Sequence, residues 1–158
     1  MEKTYRKQIR LKTFDYSSNG AYFVTICTKN KEKLFWKSST DEGDYELSDC
    51  GIIVDNSISM VSQHYPNISV EKYVIMPNHI HMILLIDNPF GLAMRAPTIG
   101  NVLCQMKGYI TKQIGKSIWQ KSFYDHIIRD ERDYQKIWDY IDTNPLKWTL
   151  DCYYVEGW

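Results

Sequence analysis

His79 and His81 are separated by one residue in the run Val74-Ile75-Met76-Pro77-Asn78-His79-Ile80-His81-Met82-Ile83-Leu84-Leu85-Ile86. The run reads as a strand, a tight Pro-Asn turn and a second strand. Side chains alternate across a strand, so residues i and i+2 share a face and the two imidazoles point the same way. Two imidazoles side by side on a rigid strand make half of a divalent-metal site. A bare His-x-His is more often two satisfied histidines at a strand end, so the pair alone leaves both readings open. A second candidate group lies late in the chain. On a helix expected over Glu131 to about Thr143, Tyr134, Ile137, Trp138 and Ile141 recur at i, i+3, i+4 and i+7 and form the buried stripe. Tyr140 falls beside that stripe, with Lys136 one turn before it and Asn144 one turn after. A phenol between an amine and an amide suits a polar cleft; a half-buried helix-edge tyrosine fits the same spacing.

To bring these groups together, a strand must open at the Pro-Asn turn and a helix must return to it. Ala21 to Thr28, after the turn cluster Tyr16-Ser17-Ser18-Asn19-Gly20, is rich in β-branched and aromatic residues and predicts a strand. Leu34-Phe35-Trp36 and Tyr45-Glu46-Leu47 flank Asp41-Glu42-Gly43-Asp44 as a small hairpin. Ser48 or Asp49 caps a helix running to about Gln63, with Ile52, Ile53, Ile58 and Val61 on its buried side. Ile68 to Met76 and His79 to Ile86 form an antiparallel pair, ended by Asp87-Asn88-Pro89-Phe90-Gly91. Thr98 caps a second helix, in which Ile99, Val102, Leu103, Met106, Ile110 and Ile114 recur at helical spacing. Phe123 to Ile128 predicts a short last strand, and Asp130 caps the third helix, stopped by Asn144-Pro145. The order β, hairpin, α, β, β, α, β, α predicts an α+β fold. Its form is a ferredoxin-like central antiparallel sheet with helices packed on one face and a small hairpin insertion.

The 158 residues, 44% hydrophobic, suit one domain over 1–158, with a basic N-terminal arm at 1–19 and a C-terminal tail at 146–158 packed on the body. The net charge of zero requires no polyanionic partner, but its distribution is uneven. Every charged residue from Asp41 to Asp55 is an acid, whereas Asn88 to Tyr124 holds Arg95, Lys107, Lys112, Lys116 and Lys121 and no acid. Met1 to Lys12 adds Lys3, Arg6, Lys7, Arg10 and Lys12 against Glu2. Such a dipolar chain can offer one face to phosphates, and solvated faces explain the same charges equally well. Cys27, Cys50, Cys104 and Cys152 are scattered without a Cys-x-x-Cys pair, which excludes a zinc knuckle and a small disulfide scaffold. With no apolar signal core and no run of membrane length, a reduced, cytoplasmic protein with no membrane partner is expected.

Several blocks together carry a family likeness. They are Arg6-Lys7-Gln8-Ile9-Arg10-Leu11-Lys12, Gly20 to Thr28, Val74 to Met76 with Pro77-Asn78-His79-Ile80-His81, Phe123-Tyr124-Asp125-His126-Ile127-Ile128-Arg129, and Asp139-Tyr140-Ile141 with Asn144-Pro145. In these the chain resembles the single-tyrosine HUH transposases, most closely the REP-associated tyrosine transposases of the insertion-sequence-200-like branch. The likeness spans roughly Arg6 to Asp151. It implies that His79 and His81 are the metal-binding pair, that Tyr140 is the nucleophile, and that Asn144 supplies a third, side-chain oxygen ligand. Met82 stands where the family usually has a small residue, a change expected to narrow the pocket without removing a reacting group.

The implied activity is cleavage and rejoining of single-stranded or hairpin DNA through a 5′-phosphotyrosine, with Mg²⁺ or Mn²⁺ as cofactor. Mixed nitrogen and oxygen ligation suits Mn²⁺ at least as well as Mg²⁺. A free tyrosine has a pKa of about 10, so the phenol needs a cation nearby, from Lys136 or the metal. Tyr134 and Tyr124 are better read as packing residues. His126 suits a structural role or a DNA contact, and Arg129 is a candidate DNA contact, as are Lys107, Lys112, Lys116, Lys121 and the arm residues Arg6, Arg10 and Lys12, with a steep salt dependence expected. A hairpin-binding module that no longer cuts, and a His-metal phosphodiesterase using water, are the competing readings. Monomer and homodimer both remain open.

Overall fold

The structure, a computed structural model, describes residues 20–40, 42–87 and 98–156. The basic arm with Arg6, Arg10 and Lys12, together with residue 41, residues 88–97 and residues 157–158, lies outside the described residues. Strand β1 (Gly20–Cys27) is followed by a hairpin of β2 (Trp36–Ser39) and β3 (Tyr45–Leu47). Helix α1 (Asp49–Ser59) and a single turn α2 (Val61–His64) lead to β4 (Ile68–Ile75) and β5 (His79–Ile86). Helix α3 (Ile99–Ile114), β6 (Tyr124–Ile128) and α4 (Glu131–Thr143) follow, and a 3-10 turn (Trp148–Leu150) opens the tail.

The four long strands form an antiparallel sheet in the order β4-β5-β1-β6, the ferredoxin-like arrangement expected from the sequence. Register decides what shares a face. Thr25 lies opposite His81 and Cys27 opposite His79, while Val24 faces Met82 and Ile26 faces Ile80. Directly opposed residues stand on the same side of the sheet. One face therefore carries Tyr22, Val24, Ile26, Ile80, Met82 and Leu84, all fully buried, and the other carries Phe23, Thr25, Cys27, His79 and His81. The helices were expected together on one face, but they divide between the two. Helix α1 packs on the aliphatic side, where Tyr73 donates its hydroxyl to Asp55 Oδ1 at 2.5 Å, and α3 packs against α1. Helix α4 lies over the histidine side: Tyr140 meets Phe23 and His81, while Lys72 Nζ sits 4.8 Å above the Trp138 ring and 2.7 Å from Asp142. Its high amphipathicity explains this placement, because a narrow apolar stripe needs a small partly polar surface rather than the main core.

The caps read from sequence are in place. Ser48 Oγ, Thr98 Oγ1 and Asp130 accept from the backbone of Gly51, Asn101 and Asp133 respectively. Gly51 lets α1 approach the hairpin closely, since a Cβ there would stand 2.3 Å from the Phe35 carbonyl oxygen. Two details of α1 depart from expectation. Ile52 is 49% exposed and Val54 is buried in its place, and the helix breaks at Met60 instead of running to Gln63. Ser57 and Ser59 bond back to the carbonyls of Ile53 and Asp55, a competition with the helical ladder that weakens the last turn. Among the described residues, no helix is long and apolar enough to cross a membrane.

Candidate active site

His79 and His81 open β5 with no more than 1% exposure, and their Nε2 atoms face each other at 3.1 Å. The outer nitrogens are held. His79 Nδ1 meets Asn78 Oδ1 at 2.8 Å and His81 Nδ1 meets Thr25 Oγ1 at 2.8 Å. An amide oxygen only accepts, so His79 carries its proton on Nδ1 and turns the Nε2 lone pair inward. Burial lowers the pKa of both imidazoles from the ordinary 6.5, and each is neutral at physiological pH.

Past α4 the chain turns back at Asn144-Pro145, and the 3-10 turn delivers Asp151 to the pair, its Oδ2 3.5 Å from His79 Nε2. Asn144 Nδ2 donates to that same oxygen at 3.0 Å, and the Tyr153 amide donates to Oδ1 at 2.8 Å. Burial works against the Asp151 carboxylate, but its contact with His79 and the Tyr153 amide outweigh burial and hold its pKa at about 2. The ligand atoms of His79, His81 and Asp151 all lie within 4.8 Å of one another. The Nε2 atoms of both imidazoles and a carboxylate converge there, a donor set that fits a divalent cation. Asn144 Oδ1 is also buried and, among the described residues, has no hydrogen-bond partner.

Tyr140 reaches the same place from α4, its hydroxyl 3.4 Å from His81 Nε2. Its ring packs 5.1 Å from that of His81 and edge-on to Phe23, which itself stacks on His81 at 5.3 Å. With 41% of its surface exposed, Tyr140 also opens onto a pocket lined by Lys136, Asp139, Thr143, Asn144, Lys147, Leu150 and Asp151. The structure thus gathers His79, His81, Tyr140 and Asn144 around one locus, and Lys136 lines the pocket on the open side of Tyr140.

The remaining candidates lie elsewhere. His126 Nε2 pairs with Asp133 Oδ2 at 2.7 Å and ties β6 to the start of α4. Lys107 is half-buried and donates to the Gln120 carbonyl at 2.8 Å, which engages its ammonium in joining α3 to the following loop. Lys112, Lys116, Lys121 and Arg129 are exposed, and Lys121 borders an open cleft with Lys29, Asn30 and Lys31. Asp151, Thr25 and Asn78 escaped the sequence reading. An acid set within an aromatic tail was the one signal for Asp151; Thr25 becomes visible only once the register of β1 against β5 is known.

No protein-family model matches the chain. It is 36% identical to an uncharacterised protein of Haemophilus influenzae, over 96% of this chain and 94% of that one. It is 27% identical to the REP-associated tyrosine transposase of Escherichia coli, over 84% of this chain and 70% of that one. Among solved structures, that of a REP-associated tyrosine transposase bound to a REP hairpin superposes with a TM-score of 0.67 at 23% identity, covering 88% of this chain and 74% of that one. Likeness in sequence to a named transposase over most of both chains agrees with the likeness in fold, and in both the chain is similar to the REP-associated tyrosine transposases.

Proposed function

We propose that this protein cuts and rejoins single-stranded or hairpin DNA through a covalent 5′-phosphotyrosine on Tyr140. The observation that carries the reading is the meeting of Tyr140, His79, His81 and Asp151 from three separate stretches of chain, with the phenol 3.4 Å from His81. The Tyr140 oxygen forms a bond to phosphorus and the 3′ oxygen leaves with the electron pair. The ester keeps the energy of the broken bond, so attack by a 3′ hydroxyl rejoins the strand without ATP. His79, His81 and Asp151 would hold Mg²⁺ or Mn²⁺, which as a Lewis acid polarises the phosphoryl oxygens. Thr25 and Asn78 hold the imidazoles in orientation, and Asn144 orients the Asp151 carboxylate. Phe23 and His81 pack against the Tyr140 ring and limit its swing. Because histidine and tyrosine come from the same chain, the geometry supports a site complete within one copy.

The exposed cations Lys112, Lys116, Lys121 and Arg129 are the proposed backbone contacts, and hairpin DNA is the proposed ligand by analogy with the relative solved on a REP hairpin. The test is a hairpin oligonucleotide with a 3′-bridging phosphorothiolate at the cleavage position. A denaturant-resistant adduct that requires Mn²⁺ or Mg²⁺ is the expected result. Tight hairpin binding with no adduct would identify a binding module instead.

Two further outcomes follow from the electrostatics. Lys136 lines the pocket beside Tyr140, and a nearby cation favours an ionised phenol. Lys136→Ala is accordingly expected to shift the pH profile of cleavage to higher pH; an unchanged profile removes Lys136 from the activation of the nucleophile. Burial lowers both histidine pKas, so the neutral, ligating form persists below the ordinary 6.5. Mn²⁺ affinity, followed by electron paramagnetic resonance, is expected to stay constant from pH 8 down to about pH 6.5 and to decline only below it. A decline already under way at pH 7.5 would contradict the lowered pKas.

A further inference from the structure

We propose that Asn78 is the positioning residue that couples the histidine pair to the C-terminal segment, so that the cation site forms only when that segment is docked. This inference rests on the cation reading of the site given above.

Asn78 is 1% exposed, and each polar atom of its side chain is engaged by a different part of the chain. Its Oδ1 accepts from His79 Nδ1 at 2.8 Å, which sets the tautomer of that imidazole. Its Nδ2 donates to the Tyr153 carbonyl at 2.8 Å and to the Lys31 carbonyl at 3.3 Å. Its own carbonyl accepts from the Thr28 amide at 3.0 Å and lies 3.2 Å from the Thr28 hydroxyl. Lys31 has φ of 57°, a left-handed conformation uncommon outside glycine and asparagine. Tyr153 is the link to the third ligand: its carbonyl takes the Asn78 amide, while its own N–H reaches Asp151 Oδ1. Its ring also lies 4.4 Å from that of His79.

One planar group thus orients a ligand on β5 and registers the backbone that carries Asp151, 75 residues from the tyrosine it holds. Only a primary amide supplies an acceptor on one side and two donors on the other at this size. Aspartate keeps the acceptor for His79 but turns a second acceptor toward two carbonyls, and leucine keeps the shape with neither function. These variants separate the two roles. Linkage adds a consequence: if docking of the segment favours cation binding, cation binding favours docking by the same factor.

The experiment uses the full chain with Asn78→Asp and Asn78→Leu, and three readouts. Long-range ¹H–¹⁵N correlation on metal-free protein reports the His79 tautomer. Titration with Mn²⁺ alone reports affinity, and hydrogen exchange read by mass spectrometry over residues 148–154 reports docking. In the wild type, the proton is expected on Nδ1 and Mn²⁺ is expected to slow exchange over 148–154. Asn78→Asp is expected to keep the Nδ1 tautomer, to speed exchange over 148–154, and to weaken Mn²⁺ about tenfold. Asn78→Leu is expected to lose the single tautomer as well and to weaken Mn²⁺ about a hundredfold. Asn78→Asp with wild-type Mn²⁺ affinity and wild-type exchange overturns the coupling. If the wild type takes up no Mn²⁺, the cation reading falls, and the metal-free exchange of Asn78→Asp still decides whether Asn78 holds the segment. Should neither variant fold, failure of Mn²⁺ to slow exchange over 148–154 in the wild type overturns the proposal.

Discussion

Tyr140→Phe is expected to abolish covalent adduct formation and to reduce DNA cleavage by at least about a thousandfold, while hairpin affinity stays within about threefold of wild type. The substitution removes one oxygen and leaves the ring that packs against Phe23 and His81. Because the side chain is 41% exposed, little stability depends on its hydroxyl. A denaturing gel and a filter-binding assay on the same oligonucleotide separate the two effects. Cleavage that persists in Tyr140→Phe would mean that water is the nucleophile and that the histidine cluster works as a phosphodiesterase. Loss of binding in parallel with cleavage would mean that Tyr140 serves the DNA interface rather than the reaction.

Asp151→Ala is expected to weaken Mn²⁺ by about a hundredfold or more, and Asn144→Ala by only about tenfold. The difference follows from where the oxygens stand. Asp151 Oδ2 faces His79 Nε2 at 3.5 Å, and Asn144 reaches the cluster through a bond from its Nδ2 to that oxygen. Removing the carboxylate takes away the negative charge beside two neutral imidazoles. Removing the amide leaves the carboxylate in place but freer to turn. Isothermal titration with Mn²⁺ measures both. The reverse order, with Asn144→Ala the more damaging, would make the amide oxygen the ligand, in line with the resemblance, and Asp151 its support. Asn144 Oδ1, buried and without a partner among the described residues, is the atom that would take that role.

The parts of this arrangement that depend on local chemistry were legible in the chain itself. His79 and His81 share a face because strand periodicity requires it, and Tyr140 stands beside the apolar stripe of α4 because helical periodicity requires it. Ser48, Thr98 and Asp130 read as caps and act as caps, since the cap depends on a side chain reaching two or three residues along its own backbone. What depends on distant partners was not legible. The place of α4 opposite α1 rests on contacts between residues far apart in sequence, such as Lys72 with Trp138 and Phe23 with Tyr140. Thr25 was hidden because nothing local fixes the register of β1 against β5. Asp151 was hidden because a carboxylate in a tail earns no role until the backbone around Tyr153 is known to turn it inward. Lys107 read as a free cation on a helix face, and only the proximity of the Gln120 carbonyl shows where its charge goes.

A division of labour follows from this geometry. The sheet supplies two buried imidazoles, each with its outer nitrogen in a hydrogen bond, and α4 supplies a phenol with one open side. The C-terminal segment supplies the carboxylate. On the proposed reading, the two sheet-bound ligands would be the buried His79 and His81, while Tyr140 and the pocket beside it face solvent, where a DNA strand would enter.

Anomalous diffraction from crystals grown with Mn²⁺ tests the arrangement most directly. The expected result is one manganese peak in contact with His79 Nε2, His81 Nε2 and a carboxylate oxygen of Asp151, next to the Tyr140 hydroxyl. A manganese peak away from the histidines, or none at saturating Mn²⁺, would contradict it.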